Sequence, residues 1–426
     1  MGHAAGAEEA AFREAAATDR GWRSRVTVAE SFAAATRCLA IALGFAMPIS
    51  TAVTSALFVM LVVCWLFTGN YVAKYQMIRR NQVALLALAL FGMYVVGLTY
   101  TTAPLSEAAG GLLKCRKYLY VPVLVTVYTH RRARDYSIRA FELAMLITLG
   151  ASFLVSLGLL QSSRGTPDDC AAFKNHITQN VLMALFVALL ANRACQERRL
   201  RWLYVGIILI AVYNIFFMVG GRTGYLVLFA LVSLLMFQRR GLRGLAWAGA
   251  LAIGVGAATY VCSGVFHERV TLAVQEAADY YNYRRDSPDS SIGERFAFYG
   301  SSALIASRSP FFGTGTGSFK HEFAKLAESK GRRTVLQPHN EYLNVLVQTG
   351  LLGLGLFLYW LYTQWAHSKR LPQDLASLAQ AVLVTFVVGS LFNSVMSDTT
   401  ESHVLCYFIG LCFAAVPQTP AGSQPR

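Results

Sequence analysis

Apolar runs near the twenty or so residues that cross a bilayer recur along nearly the whole chain, separated by short polar stretches. They fall at Ser31 to Met47, Thr51 to Tyr71, Val83 to Thr101, Ala108 to Tyr128, Ile138 to Leu160 and Ile177 to Ala191. Six more follow at Leu200 to Gly220, Thr223 to Phe237, Gly244 to Phe266, Asn340 to Trp365, Leu375 to Val395 and Ser402 to Val416. The fourth is interrupted by Lys114, Arg116 and Lys117. Such runs predict an all-α polytopic membrane protein with about 12 transmembrane helices.

The stretch between the ninth and tenth runs, His267 to Pro338, differs. Apolar and polar residues alternate there at helical spacing over Arg269 to Arg284, Glu294 to Ser307 and Phe319 to Lys330. A turn-rich passage, Pro310-Phe-Phe-Gly-Thr-Gly-Thr-Gly317, separates the last two. It lacks the Gly-Lys-Ser/Thr ending of a nucleotide-binding loop, and no strand precedes it. The predicted organisation is a cytoplasmic segment (1–30), helices 1–9 (31–266), a helical loop domain (267–338), helices 10–12 (339–416) and a polar tail (417–426).

Composition agrees: 55% of the 426 residues are hydrophobic and 14% charged, more apolar surface than one soluble core could use. The formal charge of +15 would suit a nucleic-acid partner, but its placement argues against one. The cations cluster in alternate loops: Arg20/Arg23/Arg25, Lys74/Arg79/Arg80, Arg131/Arg132/Arg134/Arg139, Arg193/Arg198/Arg199/Arg201, Arg239/Arg240/Arg243 and Lys369/Arg370. The other short loops carry only Arg164, Lys174 and Arg222. By the positive-inside rule both termini are cytoplasmic. The long loop, with ten Lys/Arg against eight Asp/Glu, escapes that rule and lies outside. Eight cysteines show no C-x-x-C pair, so neither a zinc site nor a redox motif is indicated. Cys170 and Cys262 could meet in an oxidising compartment, but burial as small apolar residues accounts for them more simply.

The most specific passage is Gln337-Pro-His339-Asn-Glu-Tyr-Leu-Asn-Val-Leu-Val-Gln-Thr-Gly350. His339-Asn340, Tyr342-Leu343 and Gly350 seven residues further resemble the signature of the O-antigen ligase and polymerase superfamily. Gly221-Arg222-Thr-Gly224, Ser291-x-x-x-Arg295 and Pro310-x-x-Gly-x-Gly agree with it. Independently, Pro338 ends the loop, so His339 and Asn340 stand at the first turn of a helix whose unpaired N–H groups favour an anion such as a diphosphate. Such an end favours a neutral imidazole, the state of a general base; helix capping is the plainer role for it. Arg222 is a cation in a short loop of the kind that avoids them, which points to an anionic partner or to snorkelling. Arg295, in the loop, would on its own be a solvated surface residue. Asn180 and Asn214 suit helix-to-helix hydrogen bonds.

The resemblance implies a bacterial inner-membrane glycosyltransferase with its active site at the periplasmic face, moving O-antigen from undecaprenyl diphosphate to the lipid A-core oligosaccharide. His339 would be the base, with Arg222 and Arg295 on the diphosphate. Asn340 and Tyr342 join as substrate-binding candidates through the motif. Lys114, Arg116 and Lys117 join as cations lying at depth in an apolar span. No cofactor and no metal are expected: the first outer loop, Pro48 to Ser50, holds no carboxylate, and arginines can supply the positive charge. Asp168, Asp169, Asp286 and Asp289 read as turn or surface residues. Partners are then the lipid-linked glycan donor, the lipid A-core acceptor and membrane lipid, without nucleic acid. An O-antigen polymerase or a protein-glycosylating ligase would use the same donor. A glycolipid flippase or transporter is more remote, having no need of an outer histidine motif.

Overall fold

The computed structural model describes residues 28–166, 169–282, 291–328 and 337–415. Among these the chain is all-helical; one isolated bridge, Thr166 to Asp169, is the sole extended pairing. The expected N-terminal segment and C-terminal tail lie almost wholly outside the described residues, as do Asp168, Asp286 and Asp289.

Helix α1 (Val28–Ile49) leads directly into α2 (Thr51–Phe67), capped by the Ser50 hydroxyl, which accepts from Val53 N. At Gly69 and Asn70 the backbone turns left-handed, and α3 (Tyr71–Arg80) leaves at 117° to α2. The second expected span therefore ends at Phe67. Helix α4 (Gln82–Gly97) follows, capped by Asn81.

The fourth expected span is broken into α5 (Leu105–Cys115), a 3-10 turn (Arg116–Leu119) and α6 (Tyr120–Val127). The break falls on the cationic cluster, so these charges do not ride on a continuous helix. Helices α7 (Arg131–Ser156), α8 (His176–Gln196) and α9 (Arg201–Tyr213) come next. The last runs into a π turn at Asn214–Met218. Two buried amides serve that distorted end: Asn180 Nδ2 donates to Val219 O at 2.8 Å and Asn214 Nδ2 to Ser152 Oγ at 2.8 Å. Both asparagines thus make the interhelical bonds expected of them.

Helices α10 (Arg222–Arg240) and α11 (Leu242–Cys262) precede the long loop, which supplies α12 (Gly264–Asn282), α13 (Ser291–Arg308) and α14 (Phe319–Glu328). Helices therefore occur in the three stretches where spacing predicted them. The chain closes with α15 (Glu341–Ser368), α16 (Gln373–Gly389) and α17 (Thr399–Phe413).

Six described helices are long and apolar enough to span a membrane, or seven if α2 and α3 count as one; α4 and α16 are apolar but shorter. That falls short of twelve for identifiable reasons. The fourth run is broken, α10 starts and ends on arginines, and α17 has 15 residues with Glu401 in its first turn. The core binds these shorter pieces to the long ones through large buried rings, among them Trp360, Tyr118, Tyr128 and Phe141. Tyr128 and Tyr407 both donate to Ala40 O, at 3.0 and 2.7 Å, tying α6 and α17 to α1.

Helix α15 is itself discontinuous. Gly350 has φ 65°, so the helix breaks after Thr349, which would strand N–H and C=O groups in an apolar setting. The glycine passage fills the break. Leu351 N donates to Pro310 O at 2.7 Å and Leu352 N to Phe311 O at 3.2 Å, while Thr314 N and Gly315 N donate to Val347 O and Gln348 O at 2.8 and 3.0 Å. The approach is so close that a Cβ on Gly350 would lie 2.3 Å from the Phe311 carbonyl, and one on Gly313 2.5 Å from the backbone of Gln348. Gly313 also has positive φ, 72°, so both positions require the residue without a side chain. The passage anticipated as a turn between two helices is in addition the plug of a broken third helix.

Candidate active site

His339 stands immediately before the break-containing helix, with φ 50°, an uncommon conformation for a residue with a side chain. Its ring stacks on Phe298 of α13, centroids 5.9 Å apart. Asn340 is the N-cap of α15, its Oδ1 accepting from Leu343 N at 3.0 Å and its Nδ2 donating to Leu391 O at 3.1 Å. The amide is thus spent on holding the turn that presents His339. Tyr342 likewise donates to Val387 O at 3.0 Å and joins α15 to α16.

The anion-binding helix end expected here is already occupied. Glu341 N donates to Ser390 O, Leu343 N is taken by Asn340, and the Glu341 carboxylate occupies the first turn. A second anion has little to gain there.

Around that carboxylate lies a polar cluster assembled from four parts of the chain. Glu341 is fully buried, accepting from Met396 N at 3.0 Å and from Asn344 Nδ2 at 3.4 Å. Asp398, at the N-cap of α17, receives Gln337 Nε2 at 3.5 Å and the Asn393 amide. Burial raises the Asp398 pKa above the ordinary carboxylate range, against the pull of the Gln337 bond and of nearby His339 and Lys117. Lys117 is 4% exposed and donates from Nζ to Asp398 O at 3.0 Å. Glu401, buried one turn on, accepts from Thr178 Oγ1. Lys117 thus bonds the main chain of Asp398 and not its carboxylate, while its charge favours the ionised form of that carboxylate. Arg116 Nε reaches Tyr120 OH at 3.3 Å. Lys114 is exposed and lines a cavity of about 220 Å³ with Gly111, Gly317, Lys320 and Gln348, whose wall includes Glu341 and Ser397.

The two arginines are linked through Glu276 and α13. Arg222 opens α10 and pairs with Glu276 of α12, Nη1 to Oε2 at 3.5 Å. Arg295 of α13 feels both. Burial draws the Arg295 guanidinium below its usual pKa, Arg222 adding to that effect while Tyr299 and Glu276 oppose it. On α13, Arg295 lies one turn from Phe298, which touches His339, and Tyr299 donates to Leu391 O at 2.7 Å. One helix face thus links the arginines, the histidine and the segment 390–398.

Residues 207–358 match the family model described as O-antigen ligase. That match supports membership in the O-antigen ligase superfamily. No curated protein matches the chain. The matched O-antigen ligase segment contains Arg222, Arg295, His339 and the plugged break at Gly350. Lys117, Asp398 and Glu401 lie outside it.

Sequence reasoning missed Glu341, Asp398 and Glu401. The signal was present, since Asp398-Thr-Thr-Glu401 stands at the mouth of an apolar run, where carboxylates are costly. Cys170 is buried, as expected, and Cys262 is exposed.

Proposed function

We propose that this superfamily member is the ligase that joins O-antigen to lipid A-core at the periplasmic face of the bacterial inner membrane, taking the glycan from undecaprenyl diphosphate. The observation that carries the reading is helix α13, which stacks Phe298 on His339 and, one turn earlier, carries Arg295 within the electrostatic reach of Arg222 and Glu276. This supports a diphosphate and a base acting together although their residues lie far apart in sequence. The guanidiniums hold the diphosphate oxygens and offset the charge that grows as the glycosyl bond breaks. Glu276 holds Arg222 in position and yields it to the donor.

His339 takes the proton from the acceptor hydroxyl as that oxygen attacks the anomeric carbon. Direct displacement inverts the configuration, and the departing group is undecaprenyl diphosphate. Asp398 supports the imidazolium formed in that step. The polar cavity beside Glu341 and Lys114 suits sugars of the acceptor. No step calls for a metal, because Arg222 and Arg295 carry the charge.

The test is complementation of a strain lacking its own ligase, with glycolipids analysed. Wild type restores polymer on lipid A-core, whereas His339→Ala leaves polymer accumulated on the lipid carrier. A chain that leaves the core of that strain bare, but extends the single repeats on core of a strain lacking its polymerase, would instead be the polymerase.

A further inference from the structure

The end of the bundle away from His339 carries a second arginine-lined site. Helix α16 connects the two: Gly389 adjoins the segment that holds Glu341, and Asp374 lies at the far end, about 22 Å away at 1.5 Å per residue. There the start of α7, the end of α8 and the start of α16 enclose a cavity of about 290 Å³, room for roughly ten waters at ~30 Å³ each. It is far too large for a structural water and of a size to take a glycerophosphate group.

Its charges do not balance internally. Four guanidiniums, Arg131, Arg134, Arg139 and Arg193, face three carboxylates, Asp135, Glu142 and Asp374. Two pairs form within the wall, Arg193 Nε to Glu142 Oε1 at 2.6 Å and Arg131 Nε to Asp135 Oδ2 at 3.8 Å. Arg134 Nη1 donates to Tyr128 O at 2.7 Å, but its Nε is buried with no hydrogen-bond partner among the described residues. A buried, unsatisfied donor on a cation costs more than a neutral one, and it marks a place where an acceptor belongs. Ile138, Leu189 and Leu378 also line the wall, so an anion seated there would have apolar surface beside it.

We propose that this cavity binds the phosphate of an anionic glycerophospholipid, with Arg134 and Arg139 as its donors and the first carbons of the acyl chains against Leu189 and Leu378. The cationic loops make this the cytoplasmic end by the positive-inside rule, and basic pockets between helices on that side suit anionic headgroups. The site is separate from the transfer chemistry and does not depend on it.

The experiment is native mass spectrometry of the purified full-length protein in neutral detergent, titrated with phosphatidylglycerol or phosphatidylcholine. Wild type retains one phosphatidylglycerol per chain in preference to phosphatidylcholine. Arg139→Gln lowers that occupancy about tenfold, as loss of one charge-assisted hydrogen bond would, and adding Arg134→Gln lowers it further. If Arg134→Gln fails to fold, Arg139→Gln alone decides. Excess inorganic phosphate leaves the lipid bound. Equal retention of the two lipids, or undiminished phosphatidylglycerol on Arg139→Gln, overturns the proposal. Complete displacement by inorganic phosphate also overturns it, making a free anion the ligand.

Discussion

The two ends of the helix bundle are built on opposite principles. At the end holding Arg131, Arg193 and Asp374, long helices simply stop, and the arginines at their ends face the surface or one cavity. At the end holding His339 almost nothing is continuous. α5 gives way to a 3-10 turn, α9 ends in a π turn, α15 breaks at Gly350, and residues 390–398 run irregularly between α16 and α17. Irregular backbone at membrane depth survives only where protein or a polar cavity satisfies it. Here the glycine passage, Asn340 and Glu341 do so. Departures from regular helix, costly in lipid, are therefore concentrated where the chemistry is proposed.

If the irregular end performs the reaction, its substitutions should separate from those at the regular end by effect on transfer. The largest effect falls at His339. His339→Ala should insert and fold yet lose transfer by about 10²- to 10⁴-fold, the range for removing a general base, in an assay with lipid-linked glycan and acceptor. Transfer within a few-fold of wild type would remove the base from the account.

Next come Arg222→Ala and Arg295→Ala, each expected to weaken donor binding strongly. Lysine should rescue only in part, since a point charge lacks the bidentate fork. Normal donor binding by both alanine variants would dissolve the clamp.

A smaller effect, on stability, compares two glycines of one helix. Gly350→Ala forces a side chain onto positive φ and against Phe311, at about 1–3 kcal/mol of backbone strain together with loss of the plug. Gly355→Ala meets nothing within 4 Å and should be neutral or slightly stabilising. Thermal unfolding in detergent measures both, and equal melting temperatures would mean that the break does not depend on glycine.

The smallest effect concerns Asp398. Its pKa is raised in the folded protein, so between the ordinary carboxylate range and that raised value the native state holds more protons than the unfolded one. Stability then falls as pH rises through that window. Asp398→Asn should therefore be slightly more stable than wild type at neutral pH, the gain vanishing below about pH 4, while transfer declines. A loss of stability at neutral pH would reverse the assigned sign.

Much of the scaffold was legible because periodicity and charge are local signals. The apolar runs, the helices of the long loop and the interhelical roles of Asn180 and Asn214 all follow from neighbours in sequence. What escaped was non-local. Nothing near Gly350 in sequence announces that Pro310 to Gly317 will dock into its break, because the hydrogen bonds that compensate it come from some forty residues earlier. Lys117 read as a substrate-facing cation, since its partner Asp398 lies 281 positions away. Asn340 and Tyr342 read as ligand contacts through their motif, while the structure spends their polar groups on Leu391 and Val387. Arg295 was found through the resemblance alone, whereas Arg222 also stood out by charge pattern and His339 by its place at a helix start, and α13 supplies a physical reason for grouping them.

The most direct test of the whole account is transfer by the purified chain, with undecaprenyl-diphosphate-linked glycan as donor and lipid A-core as acceptor, in excess EDTA. The account predicts a glycan-bearing lipid A-core product with inverted anomeric configuration, formed at the same rate with or without chelator. Activity lost in EDTA and restored by one divalent ion, or a product that retains configuration, would contradict a reaction carried by one histidine and two arginines.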